Sequence, residues 1–207
     1  MSLNHLPPLT RTLIIINVVV FVAQQALWGV LVAYFALWPL GSGSVLGGLP
    51  GFGLWQLVSY AFLHGSLTHL FFNMFGLYMF GSELERVFGT RRFMHLYFAA
   101  VISAALAQLV FAGIGAPEPY PTMGASGGVF GLLLAFGLYF PRRTIVLLIP
   151  PIPMPAWLFV TLYGVLELFL GVTGTQAGVA HFAHLGGMLG AWLIILYWRS
   201  GPPARRR

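Results

Sequence analysis

The stretch "PTMGASGGVFGLLLAFGLYFPRR" (121–143) decides how many times this chain crosses a membrane. An unbroken run of small and apolar residues from Ser126 to Phe140 ends at Pro141-Arg142-Arg143. A helix needs about 20 residues to cross about 30 Å of hydrocarbon, and this run is shorter. Its count as a span rests on what the rest of the chain requires.

Of the 207 residues 58% are hydrophobic and 7% are charged. So few charges cannot cover a soluble domain, and most of the chain belongs in lipid. Six apolar spans run roughly over 13–33, 57–81, 93–113, 126–140, 156–171 and 178–198. The ten basic residues are all arginine. Arg11 precedes the first span, Arg86, Arg91 and Arg92 lie between the second and third, and Arg142 and Arg143 lie between the fourth and fifth. Arg199, Arg205, Arg206 and Arg207 follow the sixth. With six spans every arginine falls on one side, and the positive-inside rule makes that side cytoplasmic. Adding or dropping a span breaks the pattern. The expectation is an all-α, six-helix, multi-pass bundle with both termini inside, in a bacterial-type inner membrane. Loops 34–56, 114–125 and 172–177 lie outside. Residues 1–207 read as one membrane domain, with an N-tail (1–11), a bundle (12–199) and a basic C-tail (200–207). The first span is too long for a signal-peptide core and reads as a retained anchor.

The net charge of +6 then reflects topology and lipid headgroups rather than nucleic acid. There is no cysteine, so disulfides and thiolate metal sites are excluded. There is no aspartate, and the acids are Glu83, Glu85, Glu118 and Glu167.

Polar side chains inside a membrane are costly and usually functional. The candidates are His64, His69, Asn73, Ser126, Glu167, His181 and His184. Ser126 lies 15 residues before Pro141, His184 15 before Arg199, and Asn73 13 before Arg86. At 1.5 Å per residue the three share a layer roughly 20 to 22 Å above the inner surface. Gly127, Gly131 and Ala135, and likewise Ala183, Gly187 and Ala191, recur every four residues. Such stripes let membrane helices approach closely and would bring Ser126 toward His184. A helix starting at Ser126 leaves the segment before it as irregular backbone, which membranes tolerate only when it is buried in protein or lines a cavity.

A serine hydroxyl needs a base to become a nucleophile, and His184 is the base at its depth. Without aspartate to orient the imidazole a Ser-His-Asp triad is excluded, and a dyad is the most this chain offers. His69 and Asn73, four residues apart, share a helix face. They and the Ser126 backbone N–H are donors for an oxyanion. His64 reads as structural, holding the first outer loop, and His181 as not catalytic. Glu167 reads as structural or as tuning entry of substrate.

Three motifs together resemble the rhomboid intramembrane serine proteases. Gly124-Ala125-Ser126-Gly127 is similar to the family's GxSG motif. "FLHGSLTHLFFN" (62–73) is similar to its HxxxxHxxxN pattern, and "AHLGG" (183–187) to its AHxxG motif. "ERVFGTRRF" (85–93) resembles the segment after its second helix. The resemblance implies a Ser126–His184 dyad and an acyl-enzyme, with an oxyanion and substrate-binding site from His69, Asn73 and Gly124. It implies transmembrane protein substrates in the bilayer, cut near their outer ends after sideways entry past span five and under the 172–177 loop. No cofactor or metal is implied. Two positions depart from the family's pattern: Trp55-Gln56 stands where many members have Trp-Arg, and Phe130 where some have tyrosine.

A catalytically silent member that binds membrane proteins is the alternative, disfavoured by the intact serine and histidine. A metalloprotease needs HExxH-like ligands, and no glutamate follows any histidine. An aspartyl protease lacks its aspartates. A transporter lacks an inverted repeat. An α/β-hydrolase lacks its soluble strand–turn–helix setting.

Overall fold

The first apolar run forms α1, Pro8–Phe35, opening on a proline that has no N–H to leave unpaired. Its next free donors meet a buried acid from a distant segment. Glu85 accepts hydrogen bonds from the N–H groups of Leu9 (3.0 Å) and Thr10 (2.7 Å) and from the Thr10 hydroxyl (2.8 Å). A carboxylate at a helix N-terminus satisfies orphan donors and the helix dipole together. The computed structural model describes residues 5–42, 51–112, 120–147, 150–174 and 180–200. Residues 43–50 of the 34–56 loop, Glu118, residues 175–177 of the 172–177 loop and Arg205 to Arg207 lie outside the described residues.

Five further membrane-length or near-length helical arms follow. A one-turn helix α2, Gln56–Ser59, and a tight turn at Tyr60–Phe62 lead to α3, Leu67–Gly76. The second span was expected to start near 57, but its helix starts at Leu67. Ser66, extended at φ −158°, caps it by accepting from the His69 N–H at 3.1 Å. Residues 55–59 instead tie down the end of α1: Trp55 Nε1 donates to the Tyr34 carbonyl (2.6 Å) and Ser59 Oγ to that of Phe35 (2.8 Å). Gln56, at the position where an arginine was the family pattern, is buried. It accepts from Trp38 N–H at 3.0 Å and donates to Gly51 C=O at 2.8 Å, so an amide holds this loop.

A widened turn at Leu77–Gly81 continues α3 into α4, Ser82–Ala112, which breaks at Gly89 with φ +74°. A methyl at Gly81 would stand 3.3 Å from the Phe93 ring. A straight helix would hold residues 81 and 93 about 18 Å apart, so the chain reverses at Gly89 and the two arms are separate spans. Then come α5, Ser126–Tyr139, a hairpin of β1, Thr144–Val146, and β2, Pro153–Pro155, and the helices α6, Ala156–Thr173, and α7, His181–Ser200. Four stretches are long and apolar enough to cross a membrane, and the 45-residue stretch Leu67–Phe111 contains both arms around Gly89. With the shorter α5 they make the expected six-helix, all-α bundle.

The core is where α4, α5 and α7 meet, around Phe93, Tyr97, Leu132 and Ile195. Glycines set the spacing. A methyl at Gly186 would meet the Ser103 carbonyl of α4 at 2.8 Å, and one at Gly131 the Gly187 carbonyl of α7 at 2.9 Å. The arginine-bearing loops gather at one end. Arg86 donates to the His5 carbonyl (3.1 Å) and pairs with Glu83 (3.3 Å), Arg143 approaches Glu83 (3.8 Å), Arg92 lies over Trp198, and Arg199 lies over Tyr139. Ser126 is at the opposite end of α5 from this cluster, about 20 Å along the helix.

Candidate active site

Ser126 is the first residue of α5, and the backbone delivering it is held from both sides. Thr122 and Leu37 exchange both backbone hydrogen bonds at 2.9 Å, and Gly124 N–H donates to the Tyr60 carbonyl at 3.0 Å. This is the irregular segment expected before the serine, with its polar groups satisfied in protein. Gly124 sits at φ +130°, a conformation that side chains rarely adopt. A methyl there would also meet the His69 ring, 2.6 Å from Cε1 and 2.7 Å from Nε2. Glycine therefore lets His69 lie directly against the serine loop.

His184 enters from α7. Its Nε2 is 2.8 Å from Ser126 Oγ, across 58 residues of sequence. The helices that carry them touch backbone to backbone: a methyl at Gly187 would stand 2.7 Å from the carbonyl carbon of Gly127 and nearer still to its oxygen. The small-residue stripes thus place the pair. Phe130, one turn along α5 from Ser126, stacks on the His184 imidazole, with centroids 4.2 Å apart and planes 6° from parallel. It packs as a ring without a phenolic hydrogen bond.

A cavity of about 1050 Å³ reaches the pair and is lined by His69, Asn73, Gly124, Ser126, Phe130 and His184 among others. All five site residues read from the sequence therefore border one space. Asn73 is buried and one amide N–H donates to the His69 carbonyl at 3.0 Å, which leaves its other N–H for the cavity. His64 is fully buried. Its backbone bonds the Gln24 side chain of α1 in both directions, and its ring meets His69 edge-on at 5.0 Å.

One expectation fails. The imidazole of His184 does have an acid beside it. Glu167 Oε2, from α6, lies 2.9 Å from His184 Nδ1 and 2.7 Å from His181 Nδ1. The His181 contact is a directed hydrogen bond. The His184 contact is as close but lies off the line of the ring N–H. A signal for it was present. Glu167 is 11 residues into α6 from its arginine-side end, about 17 Å up, close to the layer of Ser126 and His184.

Among the described residues, Glu167, His181 and His184 also place three ligand-type atoms within 4.8 Å of one another. Two imidazoles and a carboxylate are a donor set that zinc accepts. A metal on His184 Nδ1 would leave the proton on Nε2, facing Ser126, and the ring could no longer act as a base.

The chain is similar to known proteins over most of its length. The family model "Rhomboid domain" matches residues 51–200. The chain is 30% identical over 138 residues to "Rhomboid protease GluP" of Bacillus subtilis, covering 67% of this chain and 25% of that protein. It is 31% identical over 181 residues to "Rhomboid protein 1, mitochondrial" of Saccharomyces cerevisiae, covering 79% and 49%. It is 25% identical over 204 residues to "Rhomboid protease GlpG" of Yersinia pestis, covering 96% and 65%. The chain thus spans between a quarter and two thirds of the length of these relatives. Relatives occur in bacteria and in mitochondria, so the match fixes a multi-pass membrane protein without fixing the membrane. With the matched segment running from residue 51, before α2, to the end of α7, the chain belongs to the rhomboid family.

Proposed function

We propose that this chain is an intramembrane serine endopeptidase that hydrolyses transmembrane protein substrates, with Ser126 as nucleophile and His184 as general base. The observation that carries the reading is the 2.8 Å contact between His184 Nε2 and Ser126 Oγ at the wall of a large cavity. Nε2 takes the Oγ proton as Oγ bonds to the peptide carbonyl carbon, and the carbonyl becomes an oxyanion. The Ser126 N–H, in the first turn of α5 where no intrahelical acceptor exists, faces that charge together with His69 and the free Asn73 N–H. The intermediate collapses, the C–N bond breaks, and His184 gives its proton to the leaving amine. Water then attacks the Ser126 ester, passing its proton to His184 and on to Oγ.

In this reading residues 1–207 form one membrane domain, the arginine-rich end faces the cytoplasm of a bacterial-type cell, and Ser126 cuts near the outer side. The one-ended arginine cluster supports that orientation. The cavity runs between Phe71, Phe72 and Phe75 of α3 and Phe159 and Tyr163 of α6. These walls suit an apolar segment arriving sideways from lipid. The test uses the full chain in liposomes with a model single-span membrane protein and a fluorophosphonate probe. Cleavage and Ser126 labelling by the parent, both lost in Ser126→Ala and His184→Ala, are expected. No labelling and no cleavage by the parent would leave a catalytically silent rhomboid that binds membrane proteins.

A further inference from the structure

Glu167 is an acid in the middle of an apolar membrane-length helix, and it is 7% exposed. An ionised carboxylate only accepts hydrogen bonds. Its Oε2 takes a directed hydrogen bond from His181 Nδ1 at 2.7 Å, and His184 Nδ1 lies 2.9 Å away off the N–H line, where a lone pair facing the carboxylate is repelled and a proton is favoured. For His184 that choice has a chemical consequence. A neutral imidazole has one N–H, and when it is on Nδ1 the lone pair is on Nε2, 2.8 Å from Ser126 Oγ. This is the tautomer a general base requires.

We infer that Glu167 is a positioning residue for His184: its carboxylate, held in place by His181, fixes the base with its proton on Nδ1 and stabilises the imidazolium formed during attack. This rests on the serine-protease reading above. The Ser126 proton moves to Nε2 and later to the leaving amine, while the Nδ1 proton stays on the ring throughout. Glu167 touches neither substrate nor the reacting atoms. His181 acts through Glu167, since its directed bond takes up one side of Oε2 and keeps the carboxylate from turning into the cavity. Three faces of the His184 ring are then defined: Phe130 on its plane, Ser126 at Nε2 and Glu167 at Nδ1.

Where an aligned acid orients a catalytic histidine, removing it costs about 10⁴-fold in turnover. Here the contact is off the N–H line, so the loss in Glu167→Gln is about 10²-fold. The loss falls in kcat, with KM near the parental value, because the carboxylate contacts no substrate. The experiment measures fluorophosphonate labelling of Ser126 and cleavage of a model single-span protein by the full chain in liposomes. The parent, Glu167→Gln and Ser126→Ala run side by side. ¹⁵N spectra of the His184 ring in the parent supply a readout that does not depend on the variant folding. The expected results are a protonated Nδ1 and bare Nε2 in the parent, and slowed labelling with an unchanged KM in a folded Glu167→Gln. A parent that labels Ser126, beside a folded Glu167→Gln that labels as fast, overturns this inference and leaves the Ser126–His184 reading standing. So does a parental ring protonated on Nε2. A parent that does not label overturns both.

Discussion

Substituting Gly187→Ala tests whether backbone contact between α5 and α7 is what assembles the site. The added methyl would stand 2.7 Å from the Gly127 carbonyl carbon and 3.1 Å from its Cα, where ordinary contact begins at about 3.4 Å. The obstruction is backbone on both sides, so no side chain can swing away. The carbonyl oxygen is nearer still, so the helices must part by about 1 Å or more at this crossing. Gly127 adjoins Ser126, and Gly187 lies one turn from His184. Added to 2.8 Å, that displacement puts Nε2 and Oγ at about 3.8 Å or beyond, outside hydrogen-bond reach. A misplacement of about 1 Å costs about 10²-fold in rate, while overpacking costs about 1–3 kcal/mol of stability. The expected variant is folded, with a lowered unfolding midpoint, and labels Ser126 about 10²-fold more slowly although both reacting side chains are intact. The control is Gly164→Ala on α6, where a methyl meets only the flexible end of Met188 at 3.5 Å, so labelling stays at the parental rate. A folded Gly187→Ala that labels at the parental rate would refute the reasoning.

Glu85→Ala strips four acceptor contacts, from Leu9 N–H, Thr10 N–H, and the hydroxyls of Thr10 and Thr90. It should cost about 3 kcal/mol in an unfolding titration, with the folded fraction labelling Ser126 normally; a parental midpoint would show that the capped end of α1 is not held this way. A chelator should leave Ser126 labelling unchanged, and added Zn²⁺ should slow it in the parent but not in Glu167→Gln, because the ion would sit on Glu167, His181 and His184. Loss of activity to the chelator and recovery with zinc would replace the serine chemistry with metal chemistry.

What the sequence makes legible follows the length scale of each signal. Membrane spans are long, and arginines mark their ends, so the six-helix count emerges even though α5 has only 14 residues. Depth along a helix is a linear ruler, and glycine spacing says which faces close up, so the approach of Ser126 to His184 can be read before any coordinates. Hydropathy cannot see a helix cap, and this is why the second span was begun near 57. Residues 57–63 are apolar but form a turn against α1, and Ser66 restarts the helix. Side-chain direction is equally hidden. That Oε2 of Glu167 would face both histidines depends on how α6 is rotated against α7, which no spacing rule on either helix alone reveals.

The three helices that bring polar groups to His184 are not joined in the same way. α5 and α7 meet through glycine backbone, an interface with no rotamers to adjust, so Ser126 and His184 are placed by the main chain. α6 meets α7 through larger groups: Met188 against Gly164, Phe182 against Gly171, and the carboxylate of Glu167 between two imidazoles. Its other side is apolar and exposed, with Val165 at 62%, Phe169 at 59% and Val172 at 72%. In lipid, apolar faces gain little from pairing with each other, so polar contacts and close fit weigh more in holding helices together. The Glu167 cluster is therefore an attachment of α6 to the bundle and, on the inference above, the contact that orients His184. A shift of α6 that widened the cavity would draw the carboxylate from His184 while leaving the 2.8 Å contact to Ser126 in place. In the proposed mechanism, opening the groove and orienting the base are thus opposed, and attack by Ser126 is expected to be fastest when α6 is closed against α7.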